Sequence, residues 1–336
     1  MNGMEKNKKR RNLINAVIAF AAIILGYMAV YFMMEGNILS RQMTSLIPRI
    51  GINIILAVSL SITVGLLGEL SLGHAGFMAI GAYSSAIFTT QAVGLPGFLS
   101  FIIALLIGGI MAALFGVITG IPVLRLRGDY LAIVTLAFTE IIRSIINSMS
   151  ITGGAMGLSK IPDYANYTWI YIFGILTILV AVNLKNSRHG RAILSVRENY
   201  VAAEAMGIPV TKFKILAFTI AAFFAGIAGA LYAHTYSVLR PNSFDYNKSI
   251  DILIFVVLGG MGNIPGTIVA TILLTYLPEK FREFGDYRML TYALALIIIM
   301  ILNSGEMKEK IKGFFGKIVP FGKVKPKKLQ EKKGEH

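Results

Sequence analysis

The chain has no cysteine among its 336 residues. Disulfides, thiolate catalysis and cysteine-based metal sites are therefore excluded. Its histidines, His74, His189, His234 and His336, show no metal-ligand spacing. There is no G-x-x-x-x-G-K-S/T stretch, so the chain lacks the usual loop for cradling ATP phosphates. Nor is there a paired acid/base constellation for a membrane-embedded enzyme. Charge is thin: Asp, Glu, Lys and Arg make up 15% of residues, against about 25% in an ordinary soluble domain.

What fills the chain is oil. Hydrophobic residues make up 55% and the mean hydropathy is +0.69. Apolar runs recur at 13–34, 47–67, 73–91, 97–120, 129–149, 169–184 and 214–234. A helix needs roughly 20 apolar residues to cross the hydrocarbon layer. Shorter runs at 250–262 and 266–278 flank "GGMGNIPG", and a last run covers 288–303. The pattern predicts an all-α polytopic membrane protein with about 8–10 transmembrane helices, including glycine-interrupted short or re-entrant segments. The run 13–34 is too long for a signal-peptide core and is expected to be a retained span.

The net charge of +15 is concentrated in three places. Five basic residues lie in 1–12, six in 185–214, and ten lysines follow Ser304. Positive charge is retained on the cytoplasmic side of membrane proteins, where anionic lipids attract it. Both termini and the 185–213 loop are thus expected in the cytoplasm. No aromatic-interleaved basic fold accompanies the charge, so nucleic acid is not an expected partner. The domain expectation is a basic tail over 1–12, a transmembrane domain over 13–303 and a Lys-rich tail over 304–336. Six runs separate the first two basic patches, an even number, as their shared side requires. Parity again requires 250–278 to be two legs meeting at "GGMGNIPG", either crossing or re-entrant.

Within this oil, "GELSLGHAGFMAIGAYSSA" (68–86) places Glu69, Ser71 and His74 among glycines that include Gly76. Gly259, Gly260 and Gly262 repeat the theme in the second half. Glycine-interrupted hydrophobic segments in two halves point to a transport site. The spans beginning at 47 and 214 start from opposite sides, as in an inverted repeat. Ionisable residues in such segments are functional suspects, here Glu69, His74, Asp129 and Glu140. The duller readings are head-group depth for Glu69 and His74, N-capping for Asp129, and an i,i+3 ion pair between Glu140 and Arg143. The 152–157 loop "TGGAMG" reads as a turn or an external contact surface. Tyr164, Tyr167 and Trp169 suit an interfacial belt.

The 185–213 loop carries an amphipathic helix, with Ile193, Val196, Val201 and Ala205 on one face. Arg191, Arg197, Glu198 and Glu204 lie on the other, and Gly207-Ile208-Pro209 is the stop. It reads as a docking helix for a soluble partner, or as a helix lying on the lipid surface.

"LRLRGDYLAIVTLAFTEIIR", "GRAILSVRENYVAAEAMGI" and "VLGGMGNIPGTIVATILL", with the 68–86 and 152–158 motifs, occur in order over residues 45–303. Together they resemble the LivM-type permease subunit of branched-chain amino acid ABC importers. The resemblance implies a transport subunit and not an enzyme. It binds no cofactor itself; ATP and Mg sit on two cytoplasmic ATPase partners. A second homologous permease would complete a heterodimer, and an extracytoplasmic amino-acid-binding protein would deliver solute. The setting implied is a bacterial inner (plasma) membrane. By the same resemblance 188–208 is the coupling segment, with Ala202, Ala203 and Gly207 in the small-residue and glycine places of the importer signature. Val201 stands where that signature has a leading glutamate. Related permeases carry urea, amides or other amino acids. An ion-coupled secondary transporter, with Glu69, His74, Asp129 and Glu140 as coupling groups, is the rival mechanism.

Overall fold

The computed structural model describes residues 40–91, 96–126 and 128–281, with scattered positions within 25–36 and 290–297. The tails 1–12 and 304–336 lie outside the described residues, as do most of the spans expected at 13–34 and 288–303. Two compact units divide the chain at Glu279/Lys280. The fold below belongs to the first, Met1–Glu279; beyond Phe281 the second is described only as helical at positions within 290–297.

The helices run in order α1 (Arg41–Ser61), α2 (His74–Gln91), α3 (Gly97–Val123), α4 (Asp129–Ser148) and α5 (Tyr167–Asn186). They continue through α6 (Arg188–Glu198), α7 (Tyr200–Ala205), α8 (Val210–Tyr236), α9 (Tyr246–Gly259) and α10 (Ile264–Lys280). Among the described residues, five helical stretches are long and apolar enough to cross a membrane: Met43–Leu67, α3, α4, α5 and α8. Their burial ranks them by position: 83% of the first is inside the protein, 67% of α8, but only 22% of α5. Thus α1 and α8 form the centre, while α3, α4 and α5 turn apolar faces outward. On α3 the outward row is Leu106, Ile110, Leu114, Ile118 and Ile121, spaced three and four residues apart as one helix face requires.

The segment 73–91, read as a run of spanning length, is helical and surrounded by protein. It forms α2, an 18-residue helix that falls outside the five candidates and is buried along most of its length. Its residues are less uniformly apolar than those of the five candidates, with Ser84, Ser85, Thr89 and Thr90 in its second half, and its neighbours are protein. Glycines make that possible, because backbones without Cβ atoms approach closely. A Cβ on Gly108 of α3 would stand 2.9 Å from the Gly81 carbonyl of α2, and one on Gly226 of α8 2.5 Å from the Gly108 carbonyl. Three helices meet there.

The legs around "GGMGNIPG" become α9 and α10, of 14 and 17 residues. At the end away from this loop, Leu158 and Leu239 form an isolated antiparallel bridge beside the 152–157 turn. Aromatic rings gather at that end: Trp169 lies 5.6 Å and Tyr164 6.3 Å from Phe101, centroid to centroid. The described part of the first span packs there too, with Tyr27 and Thr168 hydroxyls 3.0 Å apart.

Candidate functional site

After Ser61, α1 widens into a π-helical turn, Ile62–Leu67, that ends at Gly68 with φ +77°. Such turns are uncommon and recur at functional positions. The chain then runs without regular structure to His74, where α2 begins. His74 lies beside Ser59, its Nε2 2.7 Å from the Ser59 hydroxyl, and is only 2% exposed. Ser59 is about 12 Å back along the helix from Leu67 at 1.5 Å per residue. The irregular segment therefore folds back into the protein instead of staying at its surface.

Backbone without helix at such depth must find partners within the protein. Here hydroxyls supply them. The Leu72 N–H donates to Thr135 Oγ1 at 2.9 Å, and Thr139 Oγ1 donates to the Leu72 carbonyl at 3.2 Å. Ala75 N–H donates to Ser249 Oγ at 3.0 Å. The Gly73 carbonyl accepts from Gly76 and Phe77, and Ser71 Oγ accepts from Gly73 N–H. Gly76 itself faces α4, where a Cβ would stand 3.2 Å from Phe138 and Thr139. These partners on α4 and α9 carry no signature in the sequence, since a serine or threonine in an apolar helix looks like any other.

Glu69 leaves this segment for a short ion pair with Lys214 of α8. Both side chains are shielded, 15% and 8% exposed. Glu140 and Arg143 pair as their spacing predicts, with Arg143 Nη2 donating to Glu140 Oε2 at 2.6 Å. Glu140 Oε1 also accepts from Tyr246 N–H at 3.2 Å, which fastens the start of α9. Asp129 is exposed in the first turn of α4 and makes no capping bond; Gly128 occupies the cap position. The capping expectation for Asp129 is thus corrected. Its charge instead lies where the helix dipole favours an anion.

The 188–208 arm is two helices and not one. Asn199 breaks the run, its side chain capping α7 through Ala202 N–H at 3.0 Å. The break shifts the helical phase. Ile193 and Val196 of α6 and Ala203 of α7 are buried against Val58, Ile62, Leu66, Ala217 and Ile264. Val201 and Ala205, expected on that apolar face, are exposed. With Met206 at 82% and Val201 at 57% exposure they form an apolar knob. Ala202, Arg191, Glu198 and Glu204 are also exposed. Gly207 ends α7 with φ +78°, its N–H donating to the Glu204 carbonyl at 2.9 Å.

Arg197 is exposed as well, but its guanidinium turns back onto the π-turn. Its Nη1 donates to the Gly65 carbonyl at 2.6 Å, and its stem lies over Gly68. Gly65 belongs to the π-turn, whose last carbonyls lack helical partners. Lys185 does the same for the other half, donating to the Gly262 carbonyl at 2.8 Å. Gly65 and Gly262 are in turn pressed together: a Cβ on Gly65 would stand 2.6 Å from Gly262 N. Gly260 and Gly262 have φ of +89° and +81°, and Gly259 packs on Thr267 of α10. The end of α5, the arm, the π-turn and the α9–α10 loop therefore form one junction, with charge-assisted hydrogen bonds from Arg197 of the arm and Lys185 of α5.

Sequence reasoning chose Arg197, Gly259, Gly260 and Gly262 but did not group them, and it missed Lys185, Lys214 and Gly65. Of the groups it proposed for one path, those of 68–76 and 259–262 meet through Gly65 and Arg197, while Asp129 stands apart as an exposed residue. Glu69, Ser71, His74 and Gly76 line the re-entering segment, and the glycines of 259–262 sit at the junction.

Interrupted helices at the centre, lipid-type faces around them, and an amphipathic arm fastened beneath define a polytopic membrane protein of the permease class. The chain belongs to the family described as branched-chain amino acid transport system / permease component, whose model matches residues 42–303. It is 38% identical to the high-affinity branched-chain amino acid transport system permease protein LivM of Escherichia coli (strain K12), over 74% of this chain and 66% of that protein. The ribose import permease protein RbsC of Haemophilus influenzae is 25% identical over 85% of this chain and 92% of its own length. LivH of Escherichia coli (strain K12), named as a permease of the same transport system, is 21% identical over 75% and 89%. The chain spans 66% of the length of the LivM proteins of Escherichia coli and Salmonella typhimurium. No solved structure matches.

Proposed function

We propose that the chain is a transmembrane permease subunit of an ATP-driven importer for branched-chain amino acids. ATP and Mg act on separate ATPase partners. The observation that carries this reading is the arm 188–207, whose inner face is locked to the core while its outer face presents Val201, Met206, Glu198 and Glu204. A rigid helix exposing apolar side chains amid mixed charge suits a groove on a soluble motor. Family membership and 38% identity to LivM support leucine, isoleucine and valine as solutes.

A second, related permease would pair with this one, and an extracytoplasmic binding protein would supply solute at the Leu158–Leu239 end. The arm and both termini face the cytoplasm of a bacterial cell, following their positive charge, and the α9–α10 loop lies on the arm's side through its contacts with Gly65 and Lys185. The ion-coupled alternative is weakened because Glu69 and Glu140, two of its coupling groups, are already held by cations. Transport requires two states that the ATPase cycle biases differently. The Arg197–Gly65 bond is the link through which the arm would move the π-turn, and the Lys185–Gly262 bond ties the end of α5, where the arm begins, to the α9–α10 loop.

Reconstitution tests the reading. Liposomes holding this chain, its partner permease, the ATPases and the binding protein should accumulate leucine on ATP with no ion gradient. Uptake by this chain alone on a proton gradient would overturn it. Gly207 offers a finer probe, because a left-handed residue costs about 1–2 kcal/mol for any side chain but glycine's. Nothing crowds a Cβ there, so Gly207→Val strains only the end of α7. Its expected effect is ATP hydrolysis with reduced uptake, read as transported leucine per ATP; an unchanged ratio would remove Gly207 from the coupling path.

A further inference from the structure

A cavity of about 340 Å³ lies between α1, α2, α8 and α9. Arg49, Asn53, Tyr236 and Lys248 contribute its polar wall, and Ile52 and Met78 an apolar one. It is remote from the arm. Asn53 is about 21 Å along the helix axis from Leu67, at 1.5 Å per residue, toward the end where Leu158 and Leu239 pair.

Two cations share this cavity, and neither has a carboxylate within 4 Å among the described residues. Lys248 donates to Asn53 Oδ1 at 2.9 Å, which uses one of its three protons. Asn53 is itself oriented by donating to Thr275 Oγ1 at 3.1 Å, so the ammonium is held in place and not left to swing. Asp245 and Asp251 act on Lys248 only from farther off. Asp245 spends its carboxylate on capping α9, accepting from Lys248 N–H at 3.1 Å and from Asn247 at 2.7 Å. A fixed lysine and an arginine beside an empty volume with one apolar wall make a receptor for an anion joined to a greasy group.

We propose that this cavity binds the transported amino acid during passage, with Arg49 and Lys248 taking its carboxylate and Ile52 and Met78 receiving its apolar side chain. The proposal rests on the importer reading above and adds to it a residue-level solute site. It also accounts for the absence of a carboxylate in direct contact with either cation among the described residues: such a group would compete with the solute.

The test uses the assembled importer in liposomes. Lys248→Gln and Arg49→Gln should each lower ATP-driven leucine uptake about tenfold to a hundredfold, the loss of a charged hydrogen bond, while the complex still assembles. Lys248→Arg should recover much of the uptake. A second readout exploits the absence of cysteine from this chain. Ser243, which also lines the cavity, is replaced in Ser243→Cys, and labelling of this subunit by anionic and cationic thiol reagents is compared. The anionic reagent should react faster, leucine turnover should slow it, and Lys248→Gln should abolish the preference. Should Lys248→Gln fail to assemble, Lys248→Arg and the Ser243→Cys labelling decide alone. If the wild-type complex moves leucine but uptake and labelling ignore Arg49 and Lys248, the site is wrong and the importer reading stands. Protection by anionic lipid and not by leucine would likewise overturn the solute site. A wild-type complex that moves no branched-chain amino acid overturns the importer reading itself.

Discussion

Replacing Lys214 with Met should cost about 3–5 kcal/mol, the usual penalty for leaving one member of a shielded ion pair without its partner. Glu69→Gln, which strands Lys214 instead, should cost a comparable amount. Lys214 is 8% and Glu69 15% exposed, so water relieves little of the penalty. The double variant, Glu69→Gln with Lys214→Met, should lose clearly less than the two single losses combined, because it strands no charge. Thermal unfolding of the detergent-purified protein measures all three. Strict additivity would mean that the pair contributes nothing as a pair, and the re-entering segment 68–73 would need another anchor.

Arg197→Met should have the largest effect on work done per ATP. The substitution keeps most of the apolar stem over Gly68 but removes the donor to the Gly65 carbonyl. A hydrogen bond from a charged group contributes about 1.5–3 kcal/mol. That carbonyl is at the end of a π-turn, where no backbone amide can replace the lost donor. The arm would still be held by Ile193, Val196 and Ala203, so partner ATPases should still bind and hydrolyse. Leucine uptake should fall by about tenfold or more, the equivalent of roughly 1.4 kcal/mol. Arg197→Lys should rescue it in part, since an ammonium can still donate to one carbonyl. Parallel loss of hydrolysis and uptake would instead indicate that Arg197 touches the motor directly.

The parts of the fold legible in the sequence were those fixed by local pattern. Runs 97–120, 129–149, 169–184 and 214–234 reappear as α3, α4, α5 and α8 because apolar length alone decides them. The Glu140–Arg143 pair was legible because i,i+3 neighbours share a helix face. The Glu69–Lys214 pair was not, as its members are 145 positions apart and only the packing of α8 against the start of α2 joins them. That α2 would be buried among other helices was not legible, because a run of apolar residues does not say whether lipid or protein surrounds it. The arm was misread for a different reason: Asn199 was visible, and asparagine favours helix N-caps, but an unbroken amphipathic stripe outweighed it. Arg49, Asn53 and Lys248 were invisible as a group, because α1 and α9 meet only in the folded chain.

The central claim is that the outer face of the 188–207 arm grips a cytoplasmic motor. A single cysteine at Met206, in a chain otherwise free of cysteine, tests it most directly. With Met206→Cys in the assembled complex, a short bifunctional reagent should join this subunit to an ATPase subunit. A membrane-impermeant thiol reagent added outside intact cells should leave that cysteine unlabelled. Labelling from outside, with no cross-link to the ATPase, would contradict the account.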